Sequence, residues 1–128
     1  MNLLLDTHVF LWLKNNPKKV SKRVLDAYYD VDNKVFLSIA SVWEMQIKCQ
    51  LGKLELHLPL STLIEEQCLY NELQMLPIKT CHIFALAHLP LHHKDPFDRI
   101  LLVQSQLENL KFVSADEVFH QYPVDLFW

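Results

Sequence analysis

The strongest constraint on the fold is an alternation. Short, mostly apolar runs are separated by longer segments of helical period. Asn2–Leu5 is a short apolar run that stops at Asp6, and reads as a buried strand. Thr7–Lys14 reads as a helix that Asn16-Pro17 interrupts. A second helix starts at Pro17 or at Ser21, with Val20, Val24, Leu25 and Tyr28 on one face. Lys34–Ser38 is β-rich. Ser41–Leu51 is helical, and Gly52, the only glycine in the chain, is placed to end it in a left-handed cap. Pro59 precedes a fourth helix running to about Leu73. Met75–Lys79 is a strand that Pro77 confines to a sheet edge. Thr80–His88 and Asp95–Leu107 are helices, and Lys111–Ser114 is a strand. Asp116–Gln121 is a short helix, and Val124–Phe127 a last strand. Strands separated by helices imply βαβ units and a mostly parallel sheet covered on both faces. The 128 residues suit one domain spanning 1–128.

Such a sheet binds ligands outside the carboxyl ends of its strands. Four acids fall there. Asp6 ends the first strand, Glu44 sits in the first turn of the helix after the second, Asp98 opens the long helix after Asp95-Pro96, and Asp116 follows Phe112-Val113-Ser114. Each has a structural alternative. Ser41-x-x-Glu44 matches a capping box, and Asp6, Asp95 and Asp116 are placed as helix N-caps. Acids at helix N-termini are stabilised by about 0.3–1 kcal/mol each. Four on one rim, with only Arg99 near in sequence, would repel one another, and a divalent cation relieves that. Mg²⁺ and Mn²⁺ prefer hard oxygen ligands, polarise phosphoryl oxygens and activate bound water. Carboxylates with nearby lysines therefore point to phosphodiester hydrolysis.

The blocks Leu3-Leu4-Leu5-Asp6-Thr7-His8, Ser41-Val42-Trp43-Glu44, His93-Lys94-Asp95-Pro96-Phe97-Asp98-Arg99-Ile100-Leu101 and Ser114-Ala115-Asp116-Glu117 carry a resemblance. Over nearly its whole length the sequence resembles PIN domains, in particular VapC-type toxins of bacterial toxin–antitoxin pairs. The resemblance implies a three-layer α/β/α fold and a Mg²⁺- or Mn²⁺-dependent endoribonuclease. By position its acids fall on Asp6, Glu44, Asp98 and Asp116, with Thr7 and Ser114 beside the metal. Asp95 either faces the site or caps its helix and pairs with Arg99. The resemblance further implies a homodimer silenced by a cognate antitoxin. The alternative is a catalytically silent nucleic-acid-binding or regulatory PIN-like protein.

Other features narrow the field. Lys14, Lys18, Lys19, Lys22 and Arg23 lie within ten residues with no acid among them. They are either an RNA-phosphate patch or a solvated helix face. Cys49, Cys68 and Cys81 form no C-x-x-C pair, which suits reduced thiols in the cytoplasm. Met1–Leu5 has no basic lead-in, so no secretory leader is expected, and no apolar run approaches the ~18–20 residues of a membrane span. One glycine cannot build a P-loop, and Asp6-Thr7-His8 lacks the Asp-x-Asp of dehalogenase-like phosphatases. The histidines match no zinc spacing, and His93, beside the acidic block, is the one of functional interest. His8 follows Asp6 but has no assigned direction. Phe10, Trp12, Tyr28 and Tyr29 read as core, or as a groove for a partner helix. Trp43 reads as core.

Overall fold

The computed structural model describes residues 1–128. Five strands form one sheet: β1 (Asn2–Leu5), β2 (Lys34–Ser38), β3 (Gln74–Leu76), β4 (Lys111–Val113) and β5 (Leu126–Phe127). The helices are α1 (Thr7–Asn15), α2 (Lys22–Tyr29), α3 (Ile39–Gln50), α4 (Leu60–Tyr70), α5 (Thr80–Ala85) and α6 (Pro96–Leu107). Short 3-10 turns occupy Pro17–Lys19, Leu86–His88 and Glu117–Gln121. No helix is long and apolar enough to cross a membrane.

All strand pairings are parallel, in the order β3-β2-β1-β4-β5. The chain builds outward from β1 through β2 to β3, then crosses back to lay β4 on the other side of β1. That reversal is the topological switch point, where open parallel sheets bind ligands. The alternation of β1 explains why Leu3–Leu5 must all be apolar. Leu3 and Leu5 enter one core with Phe10, Val24, Tyr28, Met45 and Leu63, whereas Leu4 enters a second core with Leu101, Leu102, Phe112 and Phe119. A strand buried on both faces reads as a continuous apolar run. The result is the expected α/β/α sandwich.

Local chemistry sets the element ends. Ser21 Oγ accepts the Val24 N–H at 3.2 Å and starts α2, so Pro17 begins only a 3-10 turn. Gly52 takes φ +71°, and its N–H bonds Cys49 O while Lys53 N–H bonds Lys48 O. These two bonds close α3 as a Schellman motif, with glycine at the left-handed position. Several boundaries differ from expectation. α3 begins at Ile39, capped by Ser38 Oγ on the Ala40 N–H at 3.0 Å, so Ser41 is no cap and Ser41–Glu44 is no capping box. β2 therefore runs directly into its helix, and Glu44 lies in the second turn. α4 stops at Tyr70, and Glu72 follows at φ +54°. β3 ends before Pro77, which cannot donate to a ladder, and it is an edge strand as expected. Trp43 is 60% exposed rather than core.

Candidate active site

The switch point brings the first and last predicted acids to one place. Asp6 N–H donates to Val113 O at 3.0 Å, so the β1–β4 ladder continues one residue past β1. The residue just past β4, Ser114, donates its hydroxyl to Asp6 Oδ2 at 2.8 Å. Asp6 has the backbone of an N-cap, but its side chain caps nothing. Its Oδ1 is buried without a hydrogen-bond partner. A buried polar atom left unpaired costs about 1–3 kcal/mol, more when charged. Burial raises the Asp6 pKa above its ordinary value, the Ser114 bond and His8 oppose that rise, and Glu44 adds to it.

Glu44 reaches the same region from α3. It is buried, its Oε2 pairs with Lys48 Nζ at 2.8 Å, and its Oε1 is also orphaned. Thr7 donates to Ser41 Oγ at 2.8 Å and ties α1 to α3. Lys48 is not among the expected site residues, although its i+4 spacing from Glu44 is a signal the sequence carries.

Asp98 lies in the first turn of α6, and its Oδ2 stands 2.7 Å from His93 Nε2. Burial pushes its pKa up to about 6, and Asp6, Asp95 and Glu44 add to the rise against the His93 bond. Asp6, Glu44 and Asp98 thus sense one another electrostatically. Asp95 is the α6 N-cap, its Oδ1 accepting the Phe97 and Asp98 N–H groups at 2.9 and 3.0 Å. It does not pair with Arg99. The Arg99 guanidinium instead donates to the carbonyls of Leu86, Leu89, Pro90 and His93, fixing the loop that carries His93.

Asp116 is exposed. Its Oδ1 caps the following 3-10 turn at Val118 N–H, 3.1 Å away, and its own N–H donates to Ser114 Oγ. It lines an open cleft of about 290 Å³ with Asp6, His8, Trp12 and Ala115. His8 therefore faces the same cleft as Asp6. No three His, Cys, Asp or Glu side chains stand close enough together to ligate one ion as they lie. The expected four-carboxylate cluster is thus three coupled acids, each already engaged, with Asp116 on the rim.

The donor set still suits a hard divalent cation. Two orphaned buried carboxylate oxygens, on Asp6 and Glu44, belong to acids that repel one another. Mg²⁺ needs only one or two protein carboxylates, because it keeps several waters. The residues fit such an ion without a three-residue cage.

The basic stretch divides. Lys14 turns inward, donating to Tyr28 Oη at 2.9 Å and to Gln67 Oε1, and burial lowers its pKa to about 8. Lys18, Lys19, Lys22 and Arg23 are exposed. Of the aromatic residues, Phe10 and Tyr28 are core, whereas Tyr29 is exposed. His82, not singled out by sequence, is wholly buried. Its Nδ1 accepts Lys79 N–H at 2.9 Å, so Nε2 carries the proton given to Glu108 Oε1. It serves the start of α5.

A profile of the PIN domain family matches residues 3–125. Comparison with curated proteins gives no match. Among solved structures, a chain of the VapBC2 complex of Rickettsia felis, bound to a DNA fragment from its promoter, superposes with a TM-score of 0.73 at 15% identity, covering 99% of this chain and 96% of that one. A chain of VapBC-1 from nontypeable Haemophilus influenzae gives 0.62 at 19%, covering 100% and 96%. A chain of FitAcB from Neisseria gonorrhoeae gives 0.64 at 17%, covering 100% and 97%. A strand order that sets Asp6 beside Ser114, acids at the carboxyl edge of a parallel sheet, and a family match over nearly the full length lead to one assignment: the chain belongs to the PIN domain family, whose members are generally nucleases.

Proposed function

We propose that this chain is a metal-dependent endoribonuclease, hydrolysing RNA phosphodiester bonds as the toxin of a toxin–antitoxin pair. The observation that carries this reading is the pair of orphaned buried oxygens on Asp6 and Glu44, at the sheet edge where β1 and β4 meet. Keeping charged oxygens buried and unsatisfied costs stability, and a ligand that meets them returns it. Asp6, Glu44 and Asp98 would hold Mg²⁺ or Mn²⁺, with Asp116 contributing from the rim. Such an ion supplies polarisation of the phosphoryl oxygen and a water of lowered pKa.

The chain's own groups set the stage for that chemistry. Ser114 holds the Asp6 carboxylate in one orientation, leaving Oδ1 free. Lys48 neutralises one oxygen of Glu44 and leaves the other available. His93 orients Asp98, and Arg99 in turn orients His93 through its carbonyl. Asp95 acts as a cap, accepts the Asp98 N–H, and through its charge adds to the rise of the Asp98 pKa.

The toxin assignment draws support from the folds it matches, which come from toxin–antitoxin complexes. The same reading brings a cognate antitoxin and a homodimer. A second reading, a silent regulatory protein, is favoured by one observation: every acid already has a protein partner. Cleavage of single-stranded RNA by purified protein separates the two. Cutting with Mg²⁺ or Mn²⁺, stopped by EDTA and abolished in Asp6→Asn and Asp98→Asn, supports the nuclease. Undiminished cutting in excess EDTA removes the metal. RNA binding without cutting under either ion supports the silent protein. Co-expression of a small protein encoded beside the gene should block cleavage if the toxin assignment holds. Light scattering tests the dimer.

A further inference from the structure

The cleft above Asp6 and Asp116 has a wall that the acid chemistry does not use. His8 and Trp12 line it. They lie one turn apart on α1 and so share a face. Their ring centroids are 6.3 Å apart, with planes inclined by 37°. Phe10, between them in sequence, is fully buried, whereas His8 is exposed and Trp12 is partly buried, packed against the core on one side. The helix thus splits its rings between core and cleft. Trp128 sets its ring edge against Trp12 at 6.1 Å and braces the indole. Lys19 Nζ lies 5.6 Å from the Trp12 centroid. The Arg23 guanidinium lies 4.2 Å from the ring of Phe127, which is itself buried in the core. One cation thus stands beside the ring pair in the cleft.

That pattern answers a difficulty in the proposed chemistry. Three coupled acids repel a phosphate, so a strand must draw its affinity from neighbouring positions. Rings stack on any base face, and cations beside them hold the backbone. We infer that His8 and Trp12 form a stacking platform for one unpaired base of a single-stranded RNA, beside the phosphate that meets the acids, with Lys19 holding the phosphate on the far side of that base. This rests on the nuclease reading and adds to it a base contact of little sequence preference at this position. A base inside a duplex has both faces covered and cannot use the platform.

The test measures binding without metal and cleavage with it. A fluorescein-labelled single-stranded octaribonucleotide is titrated with protein in EDTA, then offered Mn²⁺. His8→Ala and Trp12→Ala should weaken metal-free binding by roughly 5- to 50-fold. His8→Phe and Trp12→Phe, which keep a ring, should stay within about 3-fold of wild type. Oligonucleotides with one abasic position each should reveal a position where wild type loses affinity and Trp12→Ala loses no more. His8 is exposed, so His8→Ala carries the test if Trp12→Ala unfolds. Alanine variants that bind and cut like wild type overturn the platform and leave the nuclease intact. Additive losses at every abasic position also overturn it, because they assign the rings to structure. An abasic-sensitive position that Trp12→Ala abolishes, in a protein that never cuts, supports the platform and removes the nuclease. RNA that is neither bound nor cut removes both.

Discussion

Replacing Lys48 with methionine tests whether Glu44 carries a charge that the fold must neutralise. Methionine keeps most of the aliphatic stem and removes the ammonium. The ions stand 2.8 Å apart, with the Lys48 side chain 35% exposed and that of Glu44 6% exposed. At that distance the attraction is about 1.5 kcal/mol in a water-like dielectric and about 6 kcal/mol at an effective dielectric of 20. Desolvation and side-chain entropy reduce it. Exposed pairs end near 0–1 kcal/mol, while breaking a buried pair costs about 3–5. With one partner buried and the other partly wet, Lys48→Met should cost about 2 kcal/mol in urea unfolding with EDTA present. Glu44→Gln should cost less, because it also relieves repulsion with Asp6 and Asp98. In the Glu44→Gln background Lys48→Met should cost little more, giving a coupling energy of about 1–3 kcal/mol. Mn²⁺ should then raise the melting temperature of Lys48→Met by more than that of wild type, since no ammonium competes for the Glu44 oxygens. A coupling below about 0.5 kcal/mol would show that Glu44 needs no counter-ion. A smaller Mn²⁺ shift in Lys48→Met would take Glu44 out of the metal site.

Three further outcomes follow from the same geometry. Asp98 binds its proton more tightly folded, with a pKa of about 6, than at its ordinary value of 3.8. Its contribution to metal-free stability is therefore full below pH 4 and lost as pH rises through 6. Metal-free melting temperatures should fall across pH 4–6 more steeply in wild type than in Asp98→Asn, and equal slopes would refute the burial argument. Asp95→Ala should lose about 1 kcal/mol through its cap, while Asp95→Asn keeps stability and most cleavage; a collapse of activity in Asp95→Asn would make Asp95 part of the site. Neutralising Lys19 and Arg23 should flatten the salt dependence of RNA binding by about 0.7 per lost phosphate contact. Lys14→Met should leave that slope unchanged and lower stability instead, because its ammonium is spent on Tyr28 and Gln67.

The sheet was legible because its strands carry an unambiguous signal. Leu3, Leu4 and Leu5 face two cores, so no polar residue is tolerated, and the acid that stops the run marks the strand end. The positions of the acids followed from that rule. Their partners did not. Ser114 lies 108 residues from Asp6, and only tertiary structure joins them. Ser41-x-x-Glu44 misled because the capping pattern is local, whereas Ser38 had already started the helix three residues earlier. Arg99 looked like a partner for Asp95 because of its spacing, yet the carbonyls of a preceding loop compete for the same guanidinium. The inward turn of Lys14 depends on Gln67 in α4, far along the chain. Trp43 looked like core because aromatic residues usually are, but it sits on a face of α3 that the chain itself leaves uncovered.

The strand order also has a consequence in time. β4 is among the last elements made, yet it must sit next to β1, the first. A ribosome adding about 5–20 residues per second needs about 5–20 s to pass from Asp6 to Ser114. Throughout that interval the nascent chain holds Asp6 without the hydroxyl that orients it and without the ladder that sets its backbone. The half-built sheet β3-β2-β1 can form, but its β1 edge stays open until Lys111–Val113 arrives. On the proposed nuclease reading, a chain assembled in this order lacks an oriented Asp6 until β4 docks. The same reading gives the proposed antitoxin that interval in which to meet the chain before β4 completes the sheet.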